Sequence, residues 1–236
     1  GAVVRKPRRT DLIGWSLGLV AGMIGQIVLG GMVVLLELTP VSVIGHFLLS
    51  MVLIANALVL HDRAGSAPGP AVAVGSPTLR RFGSVLVGWG LLVLVTGTVV
   101  TGSGPHGGDT RAERLGFAIP DVARVHGVAV ILFLCLTVAM VVTAQRHGAT
   151  DRLGWWLRVL VVSILVQGAI GYTQYLLGVP ALLVELHIAG ALAVWISVVQ
   201  VRLATVVRPT EVGAALSVLD DQPSTTSGEP WPATLP

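Results

Sequence analysis

The chain of 236 residues is 53% hydrophobic and only 11% charged. That composition excludes an ordinary soluble domain and points to an integral membrane protein. The net charge of +3 does not indicate a nucleic-acid partner, because the basic residues gather at the ends of apolar runs rather than in one patch.

A membrane-crossing helix needs about 20 apolar residues. Six stretches qualify in chain order: 12–36, 41–61, 83–101, 122–145, 154–177 and 181–206. Strand-type alternation is absent, which argues against a β-barrel, and no stretch resembles a cleavable signal peptide. Arg5, Lys6, Arg8 and Arg9 precede the first stretch. Arg63, Arg80 and Arg81 lie between the second and third. Arg146 and Arg152 lie between the fourth and fifth, and Arg202 and Arg208 close the sixth. The first-to-second and fifth-to-sixth turns contain no Lys or Arg. The positive-inside rule then places both termini in the cytoplasm and loop 102–121 outside. That loop holds Arg111 and Arg114, offset by Asp109, Glu113 and Asp121. Trp15, Trp155 and Trp156 fall near the cytoplasmic boundary, as an aromatic belt requires, and His61 and His147 read as residues of the same interface. Cys135, mid-helix, reads as a small packing residue. Residues 207–236 form a cytoplasmic tail, rich in Pro, Ser, Thr and acid and expected to be mostly disordered.

The chain repeats itself. "TDLIGW" at 10–15 matches "TDRLGW" at 150–155. Gln26 and Gly30 match Gln167 and Gly171, Pro40 matches Pro180, and His46 matches His187. The first helix pair is thus a copy of the third, and both run in the same direction. The middle pair has no copy, and "GAVVRKPRRTD" aligns with the cytoplasmic end of the fourth helix, "VVTAQRHGATD". The expectation is a fragment that lacks two helices from its front. The complete protein would have eight helices in two pseudo-symmetric four-helix bundles. In this scheme 1–82 is the remainder of an N-terminal half and 83–206 a complete C-terminal half.

Ionisable residues inside a membrane are costly and therefore functional suspects. His46, His126 and His187 each lie about 8–10 Å along a helix from its outer end, at 1.5 Å per residue. Small residues flank them: Gly45, Gly127 and Ala129, Ala189 and Gly190. One such histidine is as well explained by packing as by function. Three at one depth, two of them repeat-equivalent, favour metal ligation, with the metal bare or held in a macrocycle. No carboxylate or thiolate accompanies them at that depth except Glu185, and a bare zinc or copper site usually wants a third or fourth protein donor. Two opposed imidazoles suit six-coordinate haem iron, with His126 and His187 as the pair in the complete half. Arg124, and less so Arg111 and Arg114, could bind haem propionates.

"GTVVTGSGPHGGD" (97–109), "VHGVAVI" (125–131), "QGAIGYTQYLLGVP" (167–180) and "ELHIAGALAVW" (185–195) resemble haem A synthase, the membrane oxidoreductase that completes haem A for cytochrome oxidase assembly. The resemblance spans roughly residues 10–206. It implies a haem b cofactor in the C-terminal half, ligated by His126 and His187, with His46 as the surviving histidine of the haem O substrate half. It also implies oxidation of the haem O C8 methyl group to a formyl group, with water as the oxygen source. Its partners would be haem O, haem A, the haem O synthase, oxidase assembly factors and the lipid bilayer. The residues most tied to catalysis, a first histidine and a nearby carboxylate on the second helix of the family, are absent from this chain, so no catalytic residue is assigned here and the fragment alone is expected to be inactive. The family's paired loop cysteines are absent too. His106, in the glycine-rich loop, reads as solvated or propionate-binding. The runner-up is a di-haem b-type cytochrome that only transfers electrons. A haem-free transporter built from repeats would want charged groups at mid-membrane, and the sequence has none there.

Two outcomes check this reading. The upstream reading frame should supply two more helices, with a histidine about 15 residues before Gly1 by the repeat offset. A topology reporter fused after Asp109 should lie outside, and reporters fused after Ser76 or Arg208 should lie in the cytoplasm.

Overall fold

The computed structural model describes residues 9–67, 71–73, 76–105 and 112–208. Among them, six helices are long and apolar enough to cross a membrane. They are α1 (Thr10–Leu35), α2 (Pro40–Ala64), α3 (Pro77–Ser103), α4 (Ile119–Arg146), α5 (Asp151–Leu176) and α6 (Ala181–Ala204). The protein is all-α and of the membrane class. Hydrocarbon offers no hydrogen bonds, so each spanning segment must satisfy its backbone internally, and the helix does this. α3 begins six residues before the apolar stretch that marks it in the sequence. Apolarity sets only the part of a helix that meets lipid. Pro77 supplies a preset φ for a first turn that continues into Arg80 and Arg81.

The helices α3, α4, α5 and α6 form a closed ring in which each packs on the next and α6 returns to α3. The α1–α2 hairpin stands beside this ring, with α2 against α6 and α3, and α1 against α2. The α1–α2 and α5–α6 turns and the ends of α3 and α4 that meet loop 104–118 share one end of the molecule, here the histidine end. Arg9, the α2–α3 and α4–α5 connections and the residues after α6 share the other, the terminal end.

The two ends are packed differently. Toward the terminal end, Leu79, Leu86, Phe133, Met140, Leu153, Leu160, Val198 and Val201 are sealed from any surroundings. Toward the histidine end, burial in the ring stops at Ala129 on α4, at Gln167 on α5 and at Trp195 on α6. Only α3 carries it further, with Thr98 and Ser103. Fully buried side chains therefore concentrate at one end of the ring, and few lie at the other.

Polar ties reinforce the terminal end. Asp62 of α2 accepts from Arg152 of α5 at 2.8 Å and from Arg208 after α6 at 2.7 Å. Arg9 donates to the carbonyls of Ser66 and Arg63, at 2.8 and 3.0 Å, and pairs with Asp11. The guanidinium of Arg63 lies 5.3 Å from the Trp15 ring centroid. The Trp195 indole donates to the Met51 carbonyl at 2.7 Å and so joins α6 to α2. A two-residue antiparallel ladder, Val72–Ala73 with Val206–Val207, closes this end. The sequence assigns Val207 to the tail, yet it pairs here, because Val72 presents it with free backbone groups. The remainder of the expected tail, 209–236, lies outside the described residues.

The repeat appears bond for bond. α1 and α5 end at Leu35 and Leu176 and cap at Leu36 and Leu177, an offset of 141. Leu38 donates to Val33 and Glu37 to Val34, as Val179 donates to Gln174 and Gly178 to Tyr175. Both are Schellman closures, which require a left-handed residue just past the helix. Glu37 (φ 51) and Gly178 (φ 75) fill that place. The offset of 140 read from Thr10/Thr150 and Pro40/Pro180 is corrected to a uniform 141. Thr10 opens α1 whereas Thr150 caps α5, and Pro40 opens α2 whereas Pro180 caps α6. Threonine and proline suit either of two adjacent positions at a helix start, so the letters slip by one while the backbone does not.

A left-handed glutamate is strained where glycine is not, by about 1–2 kcal/mol. Glu37→Gly should therefore stabilise the protein by about 1 kcal/mol, and Gly178→Glu should destabilise it similarly, as read from thermal unfolding in detergent.

Candidate functional site

At the histidine end the ring brings two of the predicted histidines together. His126 sits in the second turn of α4 and His187 in the second turn of α6, at opposite corners of the ring. Their ring centroids lie 6.4 Å apart with the planes at 81°. Two imidazoles bound to one metal ion from opposite sides would hold their centroids about 6 Å apart, from metal–nitrogen bonds of about 2.0–2.1 Å and about 1.1 Å from each nitrogen to its ring centre. The observed spacing is close to that value and is also that of an edge-to-face ring pair.

Glycines let the rings sit where they do. A Cβ at Gly97 of α3 would lie 3.1 Å from His126 Cε1, and one at Gly171 of α5 would lie 3.0 Å from His187 Cε1. The hairpin α1–α2 repeats the arrangement, with 3.3 Å between a Cβ at Gly30 and His46 Cε1. A glutamine secures the backbone beneath two of these rings. Gln167 Nε2 donates to the His187 carbonyl at 2.9 Å, and Gln26 Nε2 to the His46 carbonyl at 3.2 Å. Gln26 also bonds Ser50 Oγ. Gln167 rests against Gly190, where a Cβ would meet its amide group and make the glutamine shift.

The polar bookkeeping differs between the rings. His126 Nδ1 lies 3.0 Å from Thr96 Oγ1. His187 Nδ1 and His46 Nδ1 are buried with no partner. An unpartnered nitrogen in an apolar setting is costly and asks for an explanation.

The other predicted residues stand apart. His46 belongs to the α1–α2 hairpin, and among the described residues no second histidine ring faces it. Arg124 is exposed and pairs with Asp121 at 3.1 Å, and at two residues from His126 it points to another side of α4. Arg114 Nη2 donates to the Pro105 carbonyl at 2.8 Å. His106 and Arg111 lie outside the described residues. Glu185 is exposed, and so are His61 and His147 at the terminal end. Cys135 faces outward from α4 instead of packing inside, a place that a small apolar thiol fills without cost next to lipid. Among the described residues no group of three or more His, Cys, Asp or Glu side chains gathers as a metal cluster would.

The residues that fit a ligand best here are His126 and His187. The donor set is two neutral nitrogens with no carboxylate or thiolate beside them. The helices around them are apolar. This combination suits a metal that brings its own equatorial ligands in a flat apolar frame. Sequence reasoning passed over Thr96 and gave Gly97 and Gln167 only as motif letters. Their signal was present as polar and small residues recurring on the faces of α3 and α5 that meet α4 and α6.

Fold and site together define a multi-pass helical membrane protein with a facing histidine pair at one end of a four-helix ring. No model of a known protein family matches the chain, and no curated protein matches it.

Packing at the glycines gives a direct check. Gly171→Leu drives a side chain into the His187 ring and should destabilise the protein by about 1–3 kcal/mol. Gly168→Leu, where a Cβ meets nothing within 4 Å, should leave thermal stability unchanged.

Proposed function

We propose that this protein is a haem-binding membrane oxidoreductase of the haem A synthase type. The observation that supports it is the His126–His187 pair, 6.4 Å apart at the histidine end of the α3–α6 ring. The four motifs that resemble the family converge on the same place. Gly97, His126, Gly171 and His187 each come from one of them, and the four residues touch in two ring-on-glycine contacts.

In this reading His126 and His187 hold the iron of a haem b. Bound there, the haem supplies a one-electron carrier. The chain's own residues do the rest. Gly97 and Gly171 seat the two rings, Gln167 secures the helix backbone at His187, and the apolar walls of α3–α6 keep water from the pair. The substrate is haem O, taken up in the half to which His46 belongs, where its C8 methyl would be oxidised to the formyl of haem A with oxygen from water, the four electrons and four protons released passing to an external electron acceptor and to solvent. His46 has the ring-on-glycine seat and the glutamine tie of His187, and its buried Nδ1 is likewise unpartnered. By the positive-inside rule the histidine end faces away from the cytoplasm and both termini lie within it. The partners are then a supplier of haem O and the assembly machinery of a cytochrome oxidase that takes haem A.

Reduced-minus-oxidised spectra of the complete protein in membranes test the site. His126→Ala and His187→Ala should each convert a low-spin haem to high-spin or lose it, and His46→Ala should spare that haem. An unchanged low-spin spectrum in both of the first two variants would sink the assignment. Mass identification of the extracted haems tests the reaction. Haem A or hydroxylated haem O supports the synthase, whereas haem b alone favours the electron-carrying cytochrome.

A further inference from the structure

The two histidines of the ring are not equivalent, and Thr96 is the reason. Thr96 lies on α3, next to Gly97, against which the His126 ring rests. Its hydroxyl is 3.1 Å from the Leu92 carbonyl and 3.0 Å from the Val93 carbonyl, one turn back on its own helix. A hydroxyl has one proton and two lone pairs. The carbonyls can only accept, and a Thr96 proton bonded to either of them is withheld from the ring. What Thr96 can then offer His126 Nδ1, 3.0 Å away, is a lone pair.

We infer that Thr96 is a positioning residue that fixes His126 as the Nδ1–H tautomer and leaves its Nε2 lone pair free to bind a metal. The inference rests on the haem reading for the identity of the metal, but the hydrogen-bond logic does not depend on it. An Nδ1–H bonded to an acceptor orients the imidazole and makes the opposite nitrogen more basic. His187 has no hydroxyl beside it: its buried Nδ1 makes no side-chain hydrogen bond, and the Gln167 backbone is the polar group near its ring. Its ring is placed by packing on Gly171, by the Gln167 backbone and by the tie from the Gln167 side chain to the His187 carbonyl. His126 is therefore the oriented, more strongly donating ligand, and His187 the more yielding one.

The role is separable from packing. The hydroxyl of Thr96 bonds only its own helix and the His126 ring, so removing it breaks no other link between helices. Thr96→Val keeps the shape and removes the lone pair, and Thr96→Ser keeps the hydroxyl.

The test titrates the complete protein, stripped of haem in detergent, with ferric haem b, and then measures the midpoint potential of the bound haem. Thr96→Val should weaken binding roughly 10-fold or more, the usual effect of losing a partner behind a ligating histidine. It should also move the potential to more positive values, because a less basic ligand stabilises ferric iron less. Thr96→Ser should restore both, together with the haem-free stability that Thr96→Val loses by leaving the buried His126 Nδ1 without the hydroxyl. A Thr96→Val protein with wild-type affinity and potential overturns the inference while the haem reading stands. A loss of haem-free stability that Thr96→Ser fails to restore also overturns it, since Thr96 would then be a packing residue. A wild-type protein that forms no low-spin complex with haem b overturns the haem reading itself, and the inference with it.

Discussion

An imidazole laid on a glycine is the contact on which the rest depends. It occurs three times, as His46 on Gly30, His126 on Gly97 and His187 on Gly171, each with a would-be Cβ only 3.0–3.3 Å from Cε1. A side chain at any of these glycines would push the ring away from its neighbouring helix. Membrane helices lack a hydrophobic drive to associate, so they rely on close fit between small residues and the groups opposite them. Here the group opposite is a polar ring at a defined depth. The contact thus sets helix spacing and places a ligand in one step, and for the ring of α3–α6 it leaves two imidazoles 6.4 Å apart.

The molecule divides its labour along the helix axes. At the terminal end, apolar side chains fill the ring, and Asp62, Arg152 and Arg208 tie three separate segments together. A carboxylate between two guanidiniums is held more firmly than a single exposed pair, since each arginine keeps the charge compensated when the other moves. At the histidine end the helices lack such filling. A ring with a firm base can hold its histidine end in place with fewer buried contacts. In the proposed function that end is where a flat ligand would complete the core.

Duplication explains much of the local geometry. The same Schellman closure, glutamine tie and ring-on-glycine seat recur at an offset of 141 between α1–α2 and α5–α6. The copies have diverged where geometry allows. Glu37 stands at the left-handed position that Gly178 fills in the other copy, and Gln26 has Ser50 as a second partner. α4 carries the exception, because its His126 answers to Thr96 rather than to a glutamine on the neighbouring helix. The two faces of the proposed site are accordingly built from different chemistry.

How much of this was legible in the sequence follows from what kind of information each feature needs. Apolar length and the absence of charge are local, so composition alone determined six helices, their approximate spans and the membrane class. The order of Gln, Gly and His determined the repeat, because those residues are rare enough in apolar runs for their spacing to carry meaning. Depth along a helix is also local, which is why His46, His126 and His187 could be placed at one level from the distance to each helix start. Angular position and helix neighbours are not local. Only the tertiary structure decided that His126 faces His187 while His46 stands apart, and that Arg124 turns to Asp121. The pairing of Thr96 with His126, the tie from Asp62 to two arginines and the ladder of Val72–Ala73 with Val206–Val207 were likewise beyond the sequence. Each joins residues far apart in the chain, and an apolar helix packs on its neighbours through small residues present on several of its faces, so the pattern of letters does not say which face meets which partner.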